Sequence, residues 1–75
     1  MEALVEYIVK ALVNDVEQVN ITRVERDDAT VIEVRVAKDD MGKVIGRQGK
    51  VAKAIRSVVK AASAKEPKRV IVDII

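Results

Sequence analysis

The sequence has no cysteine and no histidine among its 75 residues, and Tyr7 is its only aromatic residue. Without cysteine the chain can form neither disulfide bonds nor thiolate metal sites. Without histidine it lacks the commonest metal ligand and general base. These absences predict a protein that is not an enzyme and has no catalytic residue, metal site, cofactor or small-molecule substrate. With so short a chain, packing or self-association must supply the stability that disulfides or metals give to other small domains.

Long apolar runs are also absent. Glu6 and Lys10 interrupt the segment from Leu4 to Val13, and no stretch approaches the length of a membrane span. We therefore expect a cytoplasmic protein with no membrane partner. The hydrophobic fraction of 49% and the charged fraction of 35% are typical of a folded chain. A chain of 75 residues has room for one domain, over residues 1–75, with one sheet face covered by helices.

The charged residues are distributed unevenly along the chain. Residues 1–40 carry five basic and ten acidic side chains, whereas residues 41–75 carry nine basic and two acidic ones. Six basic residues and no acid lie between Met41 and Lys60. Such a segment is either a solvated helix face or an electrostatic footprint for phosphate groups.

Hydrophobic periodicity predicts six elements of secondary structure. In chain order they are a helix over Glu2 to Asn14, strands over Val19 to Arg26 and Thr30 to Ala37, a short helix capped by Asp39 or Asp40 that runs through Ile45, a helix over Lys50 to Ala64, and a strand over Arg69 to Ile75. A strand, two helices and a further strand make a crossover, so the last strand should lie parallel to the second. The sequence therefore predicts an α+β fold, with a three-stranded mixed sheet and three helices packed on one face.

Apolar spacing in the two long helices predicts which of their side chains face the core. The predicted stripes are Leu4, Ile8, Ala11 and Leu12 in the first helix, and Val51, Ile55, Val58 and Ala62 in the second. The second helix has further apolar residues outside its stripe, so polar residues cover only about a third of its circumference. This excess reflects either the high helix propensity of alanine or a surface buried against a partner.

All three glycines of the chain fall between Gly42 and Gly49. A phosphate-binding P-loop is excluded, because Val44 stands where its first glycine is required and Val51 follows Lys50 in place of Ser or Thr. A Gly-x-x-Gly turn between two helices remains. It is either a structural turn, with Gly46 ending one helix, or a surface on which a sugar-phosphate backbone closely approaches the main chain.

The setting of this turn resembles that of the KH family, whose RNA clamp is a GXXG loop between two helices. The chain fits the family pattern VIGxxG with Val44-Ile45-Gly46-Arg47-Gln48-Gly49. The order of elements is similar to the type II variant, which implies the type II KH fold, α-β-β-α-α-β. The segments Leu4 to Val13, Lys43 to Lys50 and Lys68 to Val72 are similar to the short stand-alone bacterial KH proteins.

That resemblance implies binding of single-stranded RNA, formation of a homodimer or of a heterodimer with a larger KH-domain protein, and roles in post-transcriptional control and in cell elongation or division. It also implies the contacts. The loop residues that would touch phosphates are Gly46, Arg47, Gln48 and Gly49. The lysines that would attract the RNA strand are Lys43, Lys50 and Lys53. The bases would lie on a wall of Val44, Ile45 and the strand Thr30 to Ala37, with either Val44 or Ile45 facing the groove. The alternative function is a protein-protein adaptor in which the loop is only structural.

Overall fold

The computed structural model describes residues 1–75 and has the predicted order of elements. The helices and strands are α1 (Glu2–Leu12), β1 (Asn20–Glu25), β2 (Ala29–Arg35), α2 (Met41–Ile45), α3 (Lys50–Ala62) and β3 (Arg69–Ile74), with short 3-10 turns at Val16–Gln18, Lys38–Asp40 and Arg47–Gly49. The predicted α+β class and the order α-β-β-α-α-β are confirmed. This arrangement is consistent with the type II KH fold that the resemblance implied.

The sheet has the strand order β1-β2-β3. β1 pairs with β2 in the antiparallel direction, and β3 pairs with β2 in the parallel direction, as the crossover predicted. β2 is therefore the central strand, with hydrogen-bonded neighbours on both sides. Only β1 and β3 have a free backbone edge at which another molecule could bind.

The helices and the sheet enclose one core of nine buried apolar residues. These are Val5, Val9, Val13, Ile32, Val34, Val44, Ile55, Val59 and Val72. Every element except β1 contributes to this set, and Ile21 of β1 packs against it. Because Val44 of the short helix α2 is fully buried, the core also fixes the position of the turn that follows α2.

The predicted helix stripes are confirmed only in part: Ile55 is buried and Ile8, Leu12 and Val51 pack against the core, but other predicted positions do not. In α1 the buried residues are Val5 and Val9, while the predicted Ala11 is exposed. In α3 Val59 is buried, whereas Val58 is 47% exposed. Each helix carries adjacent apolar residues, so helical spacing alone did not decide which of two neighbours faces the sheet. The contacts with the other elements decide it.

The carboxylate of Asp40 joins the segment after α1 to the start of α2. Asp40 was predicted as one of two candidates to cap α2, but no side chain caps that helix. Its carboxylate accepts instead the backbone N–H groups of Asn14 and Asp15, at 3.2 and 3.0 Å. Lys43 Nζ lies 3.3 Å from the same carboxylate. These bonds, the one from Asp15 first, hold the pKa of Asp40 below its ordinary value, although burial opposes the shift.

We predict that Asp40→Asn lowers the thermal stability of the chain at neutral pH, because one carboxylate bond and the attraction to Lys43 are lost. A depressed pKa stabilises the fold above the ordinary aspartate value of 3.8, and this stabilisation disappears as pH falls through the folded-state pKa. The melting temperatures of wild type and variant should therefore converge below about pH 3.8. A difference of the same size at neutral and acidic pH would contradict this role. Circular dichroism melts across that pH range measure it.

Candidate nucleic-acid interface

The GXXG loop, Gly46 to Gly49, turns the chain between α2 and α3 through three residues with positive φ. Gly46 has φ 75° and ψ 171°, Gln48 has φ 58° and ψ 25°, and Gly49 has φ 75° and ψ 14°. Such a conformation costs a residue with a side chain roughly 1–2 kcal/mol, and glycine avoids that cost. Gln48 is the only non-glycine residue of the chain with positive φ.

The two glycines of the loop differ in their surroundings. A Cβ atom at Gly46 would overlap Val51 Cγ2 and would lie 2.8 Å from the Val51 backbone nitrogen. A Cβ atom at Gly49 would have no heavy atom within 4 Å. Gly46 is therefore required by packing within the chain. Gly49 leaves main chain uncovered, so a ligand backbone could come close to it.

Positive charge surrounds this uncovered main chain. Arg47 and Lys50 are exposed, and neither takes part in an ion pair with a carboxylate. No side chain caps the N-terminus of α3, whose first N–H groups carry a partial positive charge. The exposed Lys53 follows on the first turn of α3. The loop and the start of α3 can together attract an anion.

The other two predicted contact residues lie on α2. Ile45 is 37% exposed and Val44 is fully buried, so Ile45 is the residue that faces solvent next to the loop. Of the two, Val44 is therefore the residue that faces the core. Lys43 is also exposed at the surface, but its ammonium lies 3.3 Å from Asp40. A phosphate group would have to compete with that carboxylate for Lys43.

A cleft of about 530 Å³ lies between α3 and the free edge of β3. It is lined by Arg56 and Lys60 of α3, by residues of the connection between α3 and β3, and by the β3 segment from Arg69 to Val72. Ile75 N–H donates to the Val34 carbonyl, so the alternation of a strand directs the backbone groups of Val72 away from β2. Arg56 Nε donates to this outward Val72 carbonyl at 3.2 Å.

The base wall predicted on β2 stays a prediction, and the open cleft of the structure lies beside β3 instead. β2 is the central strand and its side chains are mostly buried, so it presents neither a free edge nor an open surface on the helix side. The accessible wall next to α3 belongs to β3. Arg56 and Lys60 were missing from the predicted contact residues. Their spacing from Lys53 could have indicated them, because residues three, four and seven apart share one face of a helix.

Lys53, Arg56 and Lys60 form a basic stripe along α3 that joins the loop to the cleft. At a rise of 1.5 Å per residue, Lys60 lies about 15 Å along the helix axis from Lys50. The structure thus brings the predicted loop, Lys50 and Lys53 together with the cleft on one surface. None of the helices has the length and apolar character needed to span a bilayer. No group of three or more acidic side chains is arranged to hold a metal ion.

Comparisons with known proteins find relatives over the whole length of the chain. A family model described as KhpA/KhpB, KH domain, matches residues 2–74 of the chain. The chain is similar to the RNA-binding protein KhpA of Clostridium perfringens, with 52% identity over 75 residues and 100% of both chains covered. KhpA of Caldanaerobacter subterraneus is also 52% identical over the full length of both. KhpA of Borreliella burgdorferi is 42% identical over 72 residues, covering 96% of this chain and 88% of the relative. No solved structure matches.

We predict that Gly46→Ala is much more destabilising than Gly49→Ala. Both substitutions place a side chain at positive φ, which costs roughly 1–2 kcal/mol. Gly46→Ala adds an overlap with Val51, for a further ~1–3 kcal/mol. Urea unfolding of both variants measures the difference, and equal free energies of unfolding would show that the overlap is relieved without cost.

Proposed function

Because this chain belongs to the KhpA/KhpB family of KH domains, we propose that it is a non-catalytic protein that holds single-stranded RNA with its GXXG loop. The observation that carries the proposal is the surface from the loop along α3 to Lys60, a segment with basic and no acidic side chains. RNA binding is also what the names of the relatives state for those proteins. With RNA as the ligand, we place the site of action in the cytoplasm.

In the proposed complex, the RNA backbone lies against the loop. Gly49 gives a phosphate access to the main chain, and Gly46 provides the turn that makes this possible. Arg47 and Gln48 project from the loop as hydrogen-bond donors to phosphate oxygens. Lys50 and Lys53 supply attraction that depends on salt and carries little sequence information.

The bases lie in the cleft between α3 and β3, with about four nucleotides held in all. Ile45 contacts the RNA beside the loop. Lys43 pairs with a phosphate group where that phosphate displaces its ammonium from Asp40. The cleft has no aromatic lining residue, so bases pack on aliphatic side chains and bond to polar ones. We therefore expect the affinity of a lone domain for RNA to be modest.

We predict that the double variant Arg47→Asp, Gln48→Asp binds RNA at least ~10-fold more weakly than wild type at low salt, because two carboxylates replace donors at the phosphate contact. Fluorescence anisotropy with a labelled pool of short single-stranded RNAs, at about 50 and about 200 mM salt, measures the dissociation constants. Circular dichroism checks that the variant is folded.

A matched control is Lys10→Asp, Gln18→Asp, which makes the same change of charge at exposed positions of α1 and of the turn after it. RNA binding should be close to wild type in this control, since it lies outside the loop and the cleft. If both double variants bound RNA equally weakly, the loop would contribute to binding only through its net charge. No RNA binding by the wild type would overturn the proposed function.

An exposed apolar strip on α3 supports the association of two domains. Val58 is 47% exposed, and Ala54, Ala61 and Ala62 beside it are exposed as well. We propose that this strip is buried in a homodimer or against a larger KH-domain partner. Two linked RNA sites would then raise the affinity by avidity. In the cell, we propose roles in post-transcriptional regulation and in elongation or division.

We predict that Val58→Glu weakens self-association, because it places a carboxylate in the centre of the apolar strip. Val16→Glu is the matched control, since Val16 is 46% exposed and lies in the turn after α1. Light scattering after size-exclusion chromatography measures the mass of each variant. If the dimer is lost in both variants, or in neither, the α3 strip is not the dimer interface. A wild type that dimerises but binds no RNA would support the adaptor alternative.

A further inference from the structure

The connection between α3 and β3, residues 63–68, forms one rim of the cleft. Few backbone hydrogen bonds hold it in place. Glu66 N–H donates to the Ser63 carbonyl at 2.9 Å, and Ala64 N–H donates to the Ala61 carbonyl at 3.4 Å. Ser63 N–H also donates to the Val59 carbonyl of α3, at 2.9 Å, but no backbone hydrogen bond joins residues 64–67 to the sheet. The position of this rim relative to the sheet therefore depends on contacts made by its side chains.

Lys68 makes such a contact at the end of the connection. Its Nζ donates to the backbone carbonyl of Arg26, in the turn between β1 and β2, at 2.8 Å. The same ammonium lies 3.8 Å from Glu25 Oε1. Within the turn, Arg26 N–H donates to the Ala29 carbonyl at 2.8 Å, but no backbone N–H of the turn donates to the Arg26 carbonyl, which is therefore available to Lys68. We call Lys68, the Arg26 carbonyl and Glu25 the clasp.

The acceptor side of the clasp is itself fixed. Glu25 accepts a hydrogen bond from the Thr30 hydroxyl and one from Arg23, whose Nη2 lies 3.1 Å from Oε2. Arg23 also reaches Glu2 of α1, at 3.6 Å. The hydroxyl bond from Thr30, ahead of the contribution from Arg23, lowers the pKa of Glu25. The carboxylate therefore stays ionised at neutral pH and is held by β1, β2 and α1.

We propose that Lys68 is a positioning residue for RNA, which holds the rim of the cleft against the β1–β2 turn and so sets the width of the cleft. The inference rests on the proposed function and adds a determinant of base selectivity that lies away from the loop. The Lys68 ammonium is engaged by the turn, so its effect on RNA passes through the position of residues 63–67. A cleft whose rim is fixed in advance binds bases without the cost of ordering that rim.

The test compares Lys68→Met with Lys65→Met and Lys68→Arg. Lys65 lies in the same connection, is exposed, makes no hydrogen bond or ion pair, and is absent from the cleft lining, so its loss removes an equal charge without opening the clasp. Lys68→Arg keeps a charged donor. The probes are fluorescein-labelled RNA octamers containing only A, only C or only U, and hydrogen exchange of residues 63–67 is followed in the RNA-free proteins.

Lys68→Met should speed hydrogen exchange in the connection and raise the dissociation constant of the preferred octamer about tenfold. It should also reduce the differences among the dissociation constants of the three octamers. Lys65→Met should leave exchange and selectivity unchanged and weaken binding less than about threefold. Lys68→Arg should keep exchange in the connection and selectivity among the octamers close to those of the wild type. Melting temperatures close to wild type would separate these effects from general unfolding.

Two results would overturn the inference without touching the proposed function. One is equal exchange and equal selectivity in Lys68→Met and Lys65→Met. The other is weaker RNA binding by Lys68→Met alone, with unchanged exchange and selectivity and a log–log slope of binding constant against salt that is smaller by about one. That result would make Lys68 a direct phosphate contact. An absence of binding by the wild type to every octamer would instead overturn the proposed function, and the role of Lys68 in RNA binding with it.

Discussion

The contact between the Gly46 backbone and Val51 is the constraint on which the RNA-facing surface depends. With no side chain at Gly46, the first turn of α3 packs directly against the end of α2. The two helices can then meet in a four-residue turn, and the N-terminus of α3 is left without a side-chain cap. A larger residue at this point would separate the helices and move Arg47, Gln48 and Gly49 away from α3.

The acidic residues of the first half of the chain and the basic residues of the second half have different roles in the fold. Several acids of the first half are engaged within the protein. Asp40 joins the segment after α1 to α2, and Glu25 collects contacts from β1, β2 and the end of the α3–β3 connection. The basic residues at the loop and on the first turn of α3 have no such partners. Internal pairing thus leaves the surface around α3 positive, although the net charge of the chain is only +2.

Much of the fold could be predicted because local signals agreed with one another. Apolar periodicity in β2 and β3 and the glycines of the loop each marked an element or its end, and one crossover then fixed the parallel pairing. The loop was recognised for the same reason, since its position between two helices is visible in the sequence.

The features that were missed depend on contacts between distant residues. Val58 and Val59 are equally apolar, and only the packing of α3 against the sheet distinguishes the exposed one from the buried one. The order of strands decides that β3, and not β2, borders the cleft. Asp40 stands at the start of α2, but its partners Asn14 and Asp15 are some 25 residues away in the chain, and no local pattern indicates them.

The bond from Arg56 to the Val72 carbonyl has a consequence for how molecules of this protein meet one another. β3 is an edge strand with aliphatic side chains, and such an edge is a template on which the strand of another chain can pair and start aggregation. The guanidinium occupies an acceptor that such a strand would need, and it brings a positive charge to the edge. Arg56 therefore protects a small, aliphatic protein from adding further strands to its sheet, while the cleft beside it remains open.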